Sequence, residues 1–176
     1  KSPFQARLDA LNIVQQWTSW NGYKSAQVFD TIASEYFAIR STCSWMDLTP
    51  MEKFRITGPD SQRFLNRLVT RDLSNLAIDR VAYVIWCNDE GKVLDDGTVF
   101  RLGENDFRLC AQHHQLDWLS ISRLGFNVNI EKETDDIAAL AVQGPTSFSV
   151  LKKVGIEGLN KLKPFQICRK LISGIE

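Results

Sequence analysis

Apolar and polar positions run along this chain in two rhythms, and the rhythms predict its elements. Ser2-Pro3 reads as an N-cap followed by a first helical position, and Phe4, Leu8, Leu11 and Val14 keep helical spacing up to about Trp17. A second helical stretch ends in EYFAIR at 35–40. Residues 52–57 alternate, with Phe54 and Ile56 on one face of a half-buried strand, and Gly58-Pro59 breaks it. Asp60 can cap a helix whose apolar face is Phe64, Leu65 and Leu68. A strand over 81–87, the turn Asn88-Asp89-Glu90-Gly91 and a strand over 92–102 form a hairpin. A further turn at Gly103–Asp106 leads to a strand over 107–112. A helix through Leu116, Trp118 and Leu119 stops near Gly125. Strands at about 126–131 and 137–143 follow, then Gly144-Pro145 and a helix carrying Val150 and Leu151. Several strands join by short turns, which favours α+β with a largely antiparallel sheet and packed helices over a doubly wound fold. The expected organisation is an N-terminal helical segment over 1–45, an α+β domain over 46–155 and the start of a following segment over 156–176. The last stretch, FQICRKLISGIE, reads as strand material that stops abruptly, as in a piece of a longer protein.

Composition narrows the classes. Apolar residues make up 44% of the chain, enough for a sizeable core, and 21 Lys+Arg balance 21 Asp+Glu. That balance offers no basic field for nucleic acid or for an anionic membrane surface. No apolar run approaches the ~20 residues of a membrane span, and KSPFQARLDA lacks the apolar region of a secretory signal. Cys43, Cys87, Cys110 and Cys168 are widely spaced and read as buried free thiols in a reducing compartment. A cytoplasmic protein is expected, with an organelle matrix open. No GxGxxG or GxxxxGK[ST] occurs, which argues against a phosphate-loop nucleotide site.

The candidate chemistry lies in the hairpin. Alternation puts Val93, Asp95, Gly97, Val99 and Arg101 on one face of the second strand, and Leu94, Asp96, Thr98, Phe100 and Leu102 on the other. Asp95 and Asp96 therefore point opposite ways and cannot act side by side. Asp96, with apolar neighbours and one threonine, is expected to be desolvated, which raises a carboxylate's pKa and demands a partner from protein or ligand. A buried aspartate satisfied by a turn elsewhere fits the same pattern. Asp95 reads as a solvated surface carboxylate. Gly97 would let a ligand approach the backbone. Tyr83 and Trp86 lie on the paired strand, where an aromatic ring can be a platform for a flat ligand or simply packing. The tryptophans read mainly as core. His113-His114, being adjacent, read as a surface pair at a helix start rather than as metal ligands.

The motifs also resemble a known family. The hairpin is similar to the YxxxxNxxGGxxDDLxVY stretch of the aminomethyltransferases, the T protein of the glycine cleavage system, with Tyr83, Asn88, Gly91, Asp95, Asp96 and Val99 at matching positions. EYFAIR at 35–40 resembles that family's E-H-x-A-V-R, and Met46–Met51 its F-D-V-S-H-M. Gly58-Pro59-Asp60 with Phe64-Leu65, then Thr70–Leu73, resemble G-x-D-A-x-x-F-L and T-N-D-V. Ala141–Pro145 resembles A-L-Q-G-P. The order is kept over about residues 33–151.

The resemblance implies a tetrahydrofolate-binding fold and transfer of a one-carbon unit to or from folate. It places the family's essential carboxylate on Asp96, its pterin-contacting tyrosine on Tyr83, and further folate-pocket positions on Phe100, Met51 and Gln112. It implies a small-molecule methyl or aminomethyl donor, and a lipoyl carrier protein where glycine cleavage is the reaction. Departures from the pattern suit a relative that demethylates another substrate: Phe100 lacks a hydroxyl, Gln112 lengthens an amide arm, and Gly97 and Lys92 replace a leucine and a glycine. The chain stops before the position of the family's R-T-G-Y-T-G-E-x-G-Y-E motif. Alternatives of the same fold are a non-catalytic folate-binding protein of the iron–sulfur assembly type and an accessory domain of a dimethylglycine or sarcosine dehydrogenase. An interaction module is a further, unspecific alternative.

Overall fold

The computed structural model describes residues 1–172 and residue 174. In chain order the elements are α1 (Gln5–Leu11), β1 (Gln16–Trp20), β2 (Tyr23–Val28), α2 (Ile32–Ser41), β3 (Ser44–Asp47), β4 (Glu52–Thr57), α3 (Ser61–Leu68) and β5 (Arg80–Cys87). They continue with β6 (Val93–Gly103), β7 (Asp106–Ala111), α4 (Leu116–Ser122), β8 (Asn129–Lys132), β9 (Leu140–Gln143) and α5 (Ser147–Lys153), then a 3-10 turn at Leu159–Lys161. The fold is α+β with antiparallel strand pairing, as expected. No helix among the described residues is long and apolar enough to cross a membrane.

The chain divides into two compact units. One comprises residues 51–136 and 163–168. Its sheet has the order β5-β6-β7-β4-β8, with every neighbouring pair antiparallel. Alternation sends Phe54 and Ile56, Ala82, Val84 and Trp86, Val99, and Phe107 and Leu109 to one face, where Phe64 and Leu65 of α3 and Leu119 of α4 complete the core. Asp60 stands at the N-terminus of α3, but its carboxylate accepts the Asn127 amide (2.9 Å) instead of a helix amide. The strand expected over 165–176 amounts in this unit to a bridge between Gln166 and Arg80. Residues 173, 175 and 176 of that stretch lie outside the described residues.

The other unit comprises residues 1–50, 137–162 and 169–176. It holds the hairpin β1–β2, the pair β3–β9, and helices α1, α2 and α5. The helix expected up to Trp17 ends at Leu11, because Asn12 caps it and its side chain accepts the Gln15 amide (2.7 Å). Trp17 lies instead in β1. Asn21 and Gly22 both take positive φ, the two-residue turn that matches strand twist, and so close a hairpin inside a stretch expected to be helical. Thr31 caps α2 through a reciprocal bond with Ser34. The tryptophans divide: Trp86 is fully buried, whereas Trp45 is largely exposed.

Candidate functional site

The five-stranded sheet has a second face, opposite the core, and the register places the candidate residues on it in neighbouring rows. One row runs Val81, Phe100, Arg108, Arg55 across β5, β6, β7 and β4, and the next runs Tyr83, Thr98, Cys110, Lys53. Asp96 stands opposite Ile85 in the row beyond. Ala111 pairs with both Gly97 and Glu52, so Gln112 and Met51, each one residue outside its strand, continue the Asp96 row. Tyr83, Asp96 and Phe100 are thus brought to one face, with Met51 and Gln112 at its edge. Gln112 is exposed, and Met51 and Phe100 are half-buried.

Tyr83 and Asp96 meet directly: the phenol donates to Asp96 Oδ2 at 2.5 Å, across the diagonal of the strand pair. That donated bond, with some desolvation and the carboxylate's charge, raises the Tyr83 pKa above its ordinary value. Cys110, one strand away, is also held above the usual thiol range, chiefly by burial, against the opposing charges of Lys53 and Arg108 and a bond with Thr98. Lys53 is itself only 3% exposed, and its ammonium donates to the Met51 carbonyl (2.9 Å). Arg55 pairs with Asp106, and Arg108 Nε reaches Glu133 at 2.8 Å.

The two aspartates exchange the environments the sequence suggested. They do point to opposite faces, but Asp95, not Asp96, is the buried one, at 4% exposure on the core side. Asp96 is half-buried on a face of mixed polarity that includes Thr98, Cys110 and Lys53. The reason is that α3 and α4 cover the face carrying Asp95, a placement that alternation alone does not reveal. Gly97 is corrected as well. A Cβ there would stand 1.9 Å from the Cys110 carbonyl oxygen, so the glycine admits the neighbouring strand, not a ligand. The histidine rings are mostly exposed, yet each reaches a buried carboxylate: His114 Nδ1 lies 2.9 Å from Glu52, and His113 Nδ1 3.4 Å from Asp95. All four cysteines are free, but Cys168 is exposed and the others half-buried, not fully buried as expected.

Residues 8–174 match the family model described as the GCVT N-terminal domain. The chain belongs to this family. It is 37% identical over 145 residues to a trimethylamine-oxide aldolase of Ruegeria pomeroyi, covering 80% of this chain and 18% of that one. It is 31% identical over 155 residues to an aminomethyltransferase of Clostridium botulinum, covering 86% of this chain and 42% of the relative. An aminomethyltransferase of Bacillus subtilis shares 33% over 150 residues, 83% of this chain and 41% of that protein. The crystal structure of the glycine cleavage system aminomethyltransferase T from Bartonella henselae superposes with a TM-score of 0.78 at 24% identity, over 93% of this chain and 45% of that one. This GCVT N-terminal domain therefore spans less than half the length of these relatives.

Within the domain, the sequence identified the strand pair that carries Tyr83, Asp96 and Phe100. It missed Lys53, Cys110 and Arg108, which lie on the same face. Alternation along 52–57 and 107–112 would have put Lys53 and Cys110 opposite the core, but only the register shows that they share a row with Tyr83.

Proposed function

We propose that this domain supplies the pterin-facing part of a tetrahydrofolate-dependent one-carbon transferase. The hydrogen-bonded Tyr83–Asp96 pair on the second face of the sheet is the observation that carries the reading. A pterin presents a flat ring with ring N–H and amino donors. The face offers the Tyr83 and Phe100 rings as apolar walls and the Asp96 carboxylate as acceptor, so the residues fit the group. Tyr83 engages Oδ2, and among the described residues Oδ1 accepts no hydrogen bond. Tetrahydrofolate would supply the nitrogen that receives or gives the one-carbon unit. Moving such a unit between two nitrogens develops positive, iminium-like charge. A fixed carboxylate stabilises that charge more in a dry site than in water, because water no longer screens it. Asp96 would do this while orienting the ring, and Tyr83 would hold Asp96 in place. Met51 and Gln112 would line the pterin edge.

The donor belongs to the same proposal. The 37% identity to a protein named trimethylamine-oxide aldolase favours an N-methylated amine oxide as donor, whose N–O bond carries the oxidising equivalent. The Clostridium and Bacillus relatives, named aminomethyltransferases, support the alternative of an aminomethyl donor, which a lipoyl carrier protein would deliver.

Calorimetric titration of the full-length protein with 5-formyltetrahydrofolate tests the site. Turnover to 5,10-methylenetetrahydrofolate with trimethylamine N-oxide, whose N–O bond supplies the oxidising equivalent, or with an aminomethyl-loaded lipoyl carrier, already at the methylene level, tests the donor. Asp96→Asn should lower kcat by about 10²–10³-fold, the usual size of losing one charge-stabilising group. Tyr83→Phe, which removes one hydrogen bond, should cost about tenfold. Wild-type turnover in Asp96→Asn would sink the reading.

A further inference from the structure

Asp95 is a buried carboxylate that the proposed chemistry does not use, and its bonds run to that chemistry's supports. Its Oδ1 accepts the backbone amide of Asp96 at 2.9 Å. Its Oδ2 accepts the backbone amide of His113 at 3.0 Å and Gln115 Nε2 at 3.4 Å. Gln115 is tied in turn to the fully buried Trp86, whose indole nitrogen donates to Gln115 Oε1 at 3.5 Å. Trp86 is also the register partner of Asp95. Just before this point the pairing slips, so that Cys87 faces Val93 and Leu94 is the extra residue. Such a bulge interrupts the regular ladder and re-aims the side chains beside it. One carboxylate thus grips two stretches of backbone. One is the amide of Asp96, whose side chain points to the other face. The other is the segment directly after Gln112.

We propose that Asp95 is a positioning residue, which holds the Asp96 backbone and the 113–115 segment from the core side so that Asp96 and Gln112 keep their places at the pterin. This rests on the reading of the second face as the folate site. A carboxylate suits the place, because its amide partners, the Asp96 and His113 backbone amides and the Gln115 side-chain amide, are all donors, and the His113 ring stands 3.4 Å from Oδ1. An asparagine keeps one acceptor oxygen for Asp96, but turns its NH₂ toward two other donors. The segment after Gln112 then loses its anchor while the β6 backbone stays in register. Small displacements of a group that stabilises developing charge cost turnover more than they cost ground-state binding.

The test compares variants of the full-length protein by kcat, by KM, and by the Kd of 5-formyltetrahydrofolate. Asp95→Asn should lower kcat about 10–100-fold and weaken folate binding by no more than about threefold. The double variant Asp95→Asn with Gln115→Glu gives the new NH₂ an acceptor and leaves Trp86 its own, and should recover most of the lost kcat. Leu119→Ala, a core change that touches neither carboxylate, controls for lowered stability and should keep both constants near wild type. Wild-type kcat in folded Asp95→Asn overturns the proposal, as does failure of the double variant to recover, or an equal loss in Leu119→Ala. If Asp95→Asn does not fold, the double variant alone decides: near wild-type kcat supports the proposal, and a loss like that of Asp96→Asn overturns it. Asp96→Asn measured alongside separates the two ideas. Its inactivity beside a wild-type-like Asp95→Asn removes only the positioning role, whereas wild-type turnover in Asp96→Asn removes the folate site.

Discussion

At the scale of single residues, the contact between Tyr83 and Asp96 makes a prediction about pH. The phenol donates its proton to a carboxylate, so removing that proton would leave two anions in contact, and the Tyr83 pKa is raised. A pKa raised in the folded state means that the pair's stabilisation is fully present below the ordinary tyrosine value near pH 10. It is lost as pH climbs through the higher folded value. Ultraviolet titration of tyrosinate should find a step above the ordinary tyrosine value, and Tyr83→Phe should remove that step. Asp96→Asn should move the step down toward the ordinary value. An unchanged step in that variant would show that the carboxylate does not hold the phenol. The sequence made part of this pair legible, since alternation put Asp95 and Asp96 on opposite faces. It did not show which face α3 and α4 would cover, because Phe64, Leu65 and Leu119 reach the core from helices remote in the chain. Leu94, Phe100 and Leu102 therefore suggested an apolar environment for Asp96, while the buried environment belongs to Asp95.

At the scale of elements, β5, β6 and β7 follow closely from the sequence because their period-two pattern and their turns agree. β1 and β2 do not, although Asn21-Gly22 is a strong hairpin signal. Phe4, Leu8, Leu11 and Val14 happen to keep helical spacing across the true end of α1 at Asn12, and that longer rhythm masked the shorter one. Gly97 shows a constraint that no pattern of apolar positions contains. It lies on the core face of β6 with Trp86 3.4 Å and the Cys110 carbonyl oxygen 1.9 Å from where a Cβ would be. A backbone carbonyl in the middle of β7 cannot swing aside as a flexible side chain can, so the two strands would have to separate. Gly97→Ala should therefore destabilise the fold by at least about 3 kcal/mol, at the upper end of overpacking costs. Urea unfolding measures it, and a loss under about 1 kcal/mol would show that the strands part easily. The change also pushes on the Cys110 row, so folate affinity in any folded fraction should fall with it.

At the scale of the whole molecule, the two units differ in what holds them together. The buried Phe, Ile, Leu, Val, Ala and Trp side chains among the described residues, from Phe54 to Leu119, all lie in the unit built on the five-stranded sheet. The other unit has two-stranded sheets, and its apolar groups include Ile13, Ile32 and Phe37 at 79%, 81% and 63% exposure. Apolar burial is the main favourable term in folding, and a two-stranded sheet without a packed face is marginal by itself. Local opening should therefore need less free energy in the second unit than in the first. The candidate site belongs wholly to the first, since Met51, Lys53, Tyr83, Asp96, Phe100, Cys110 and Gln112 all fall within residues 51–136. A site that must hold a carboxylate still against developing charge is served by placing it on β6, an inner strand of the sheet, because such a strand opens only with the core. Hydrogen exchange followed by mass spectrometry should find the slowest amides in peptides over 52–57, 80–87 and 97–111. Peptides over 16–28, 44–47 and 140–143 should exchange earlier. Added 5-formyltetrahydrofolate should slow exchange further in 80–87 and 93–103, the strands carrying Tyr83 and Asp96. Simultaneous exchange of both groups of peptides would mean that the units open as one, and protection confined to 16–28 on adding folate would place the ligand away from the Tyr83–Asp96 face.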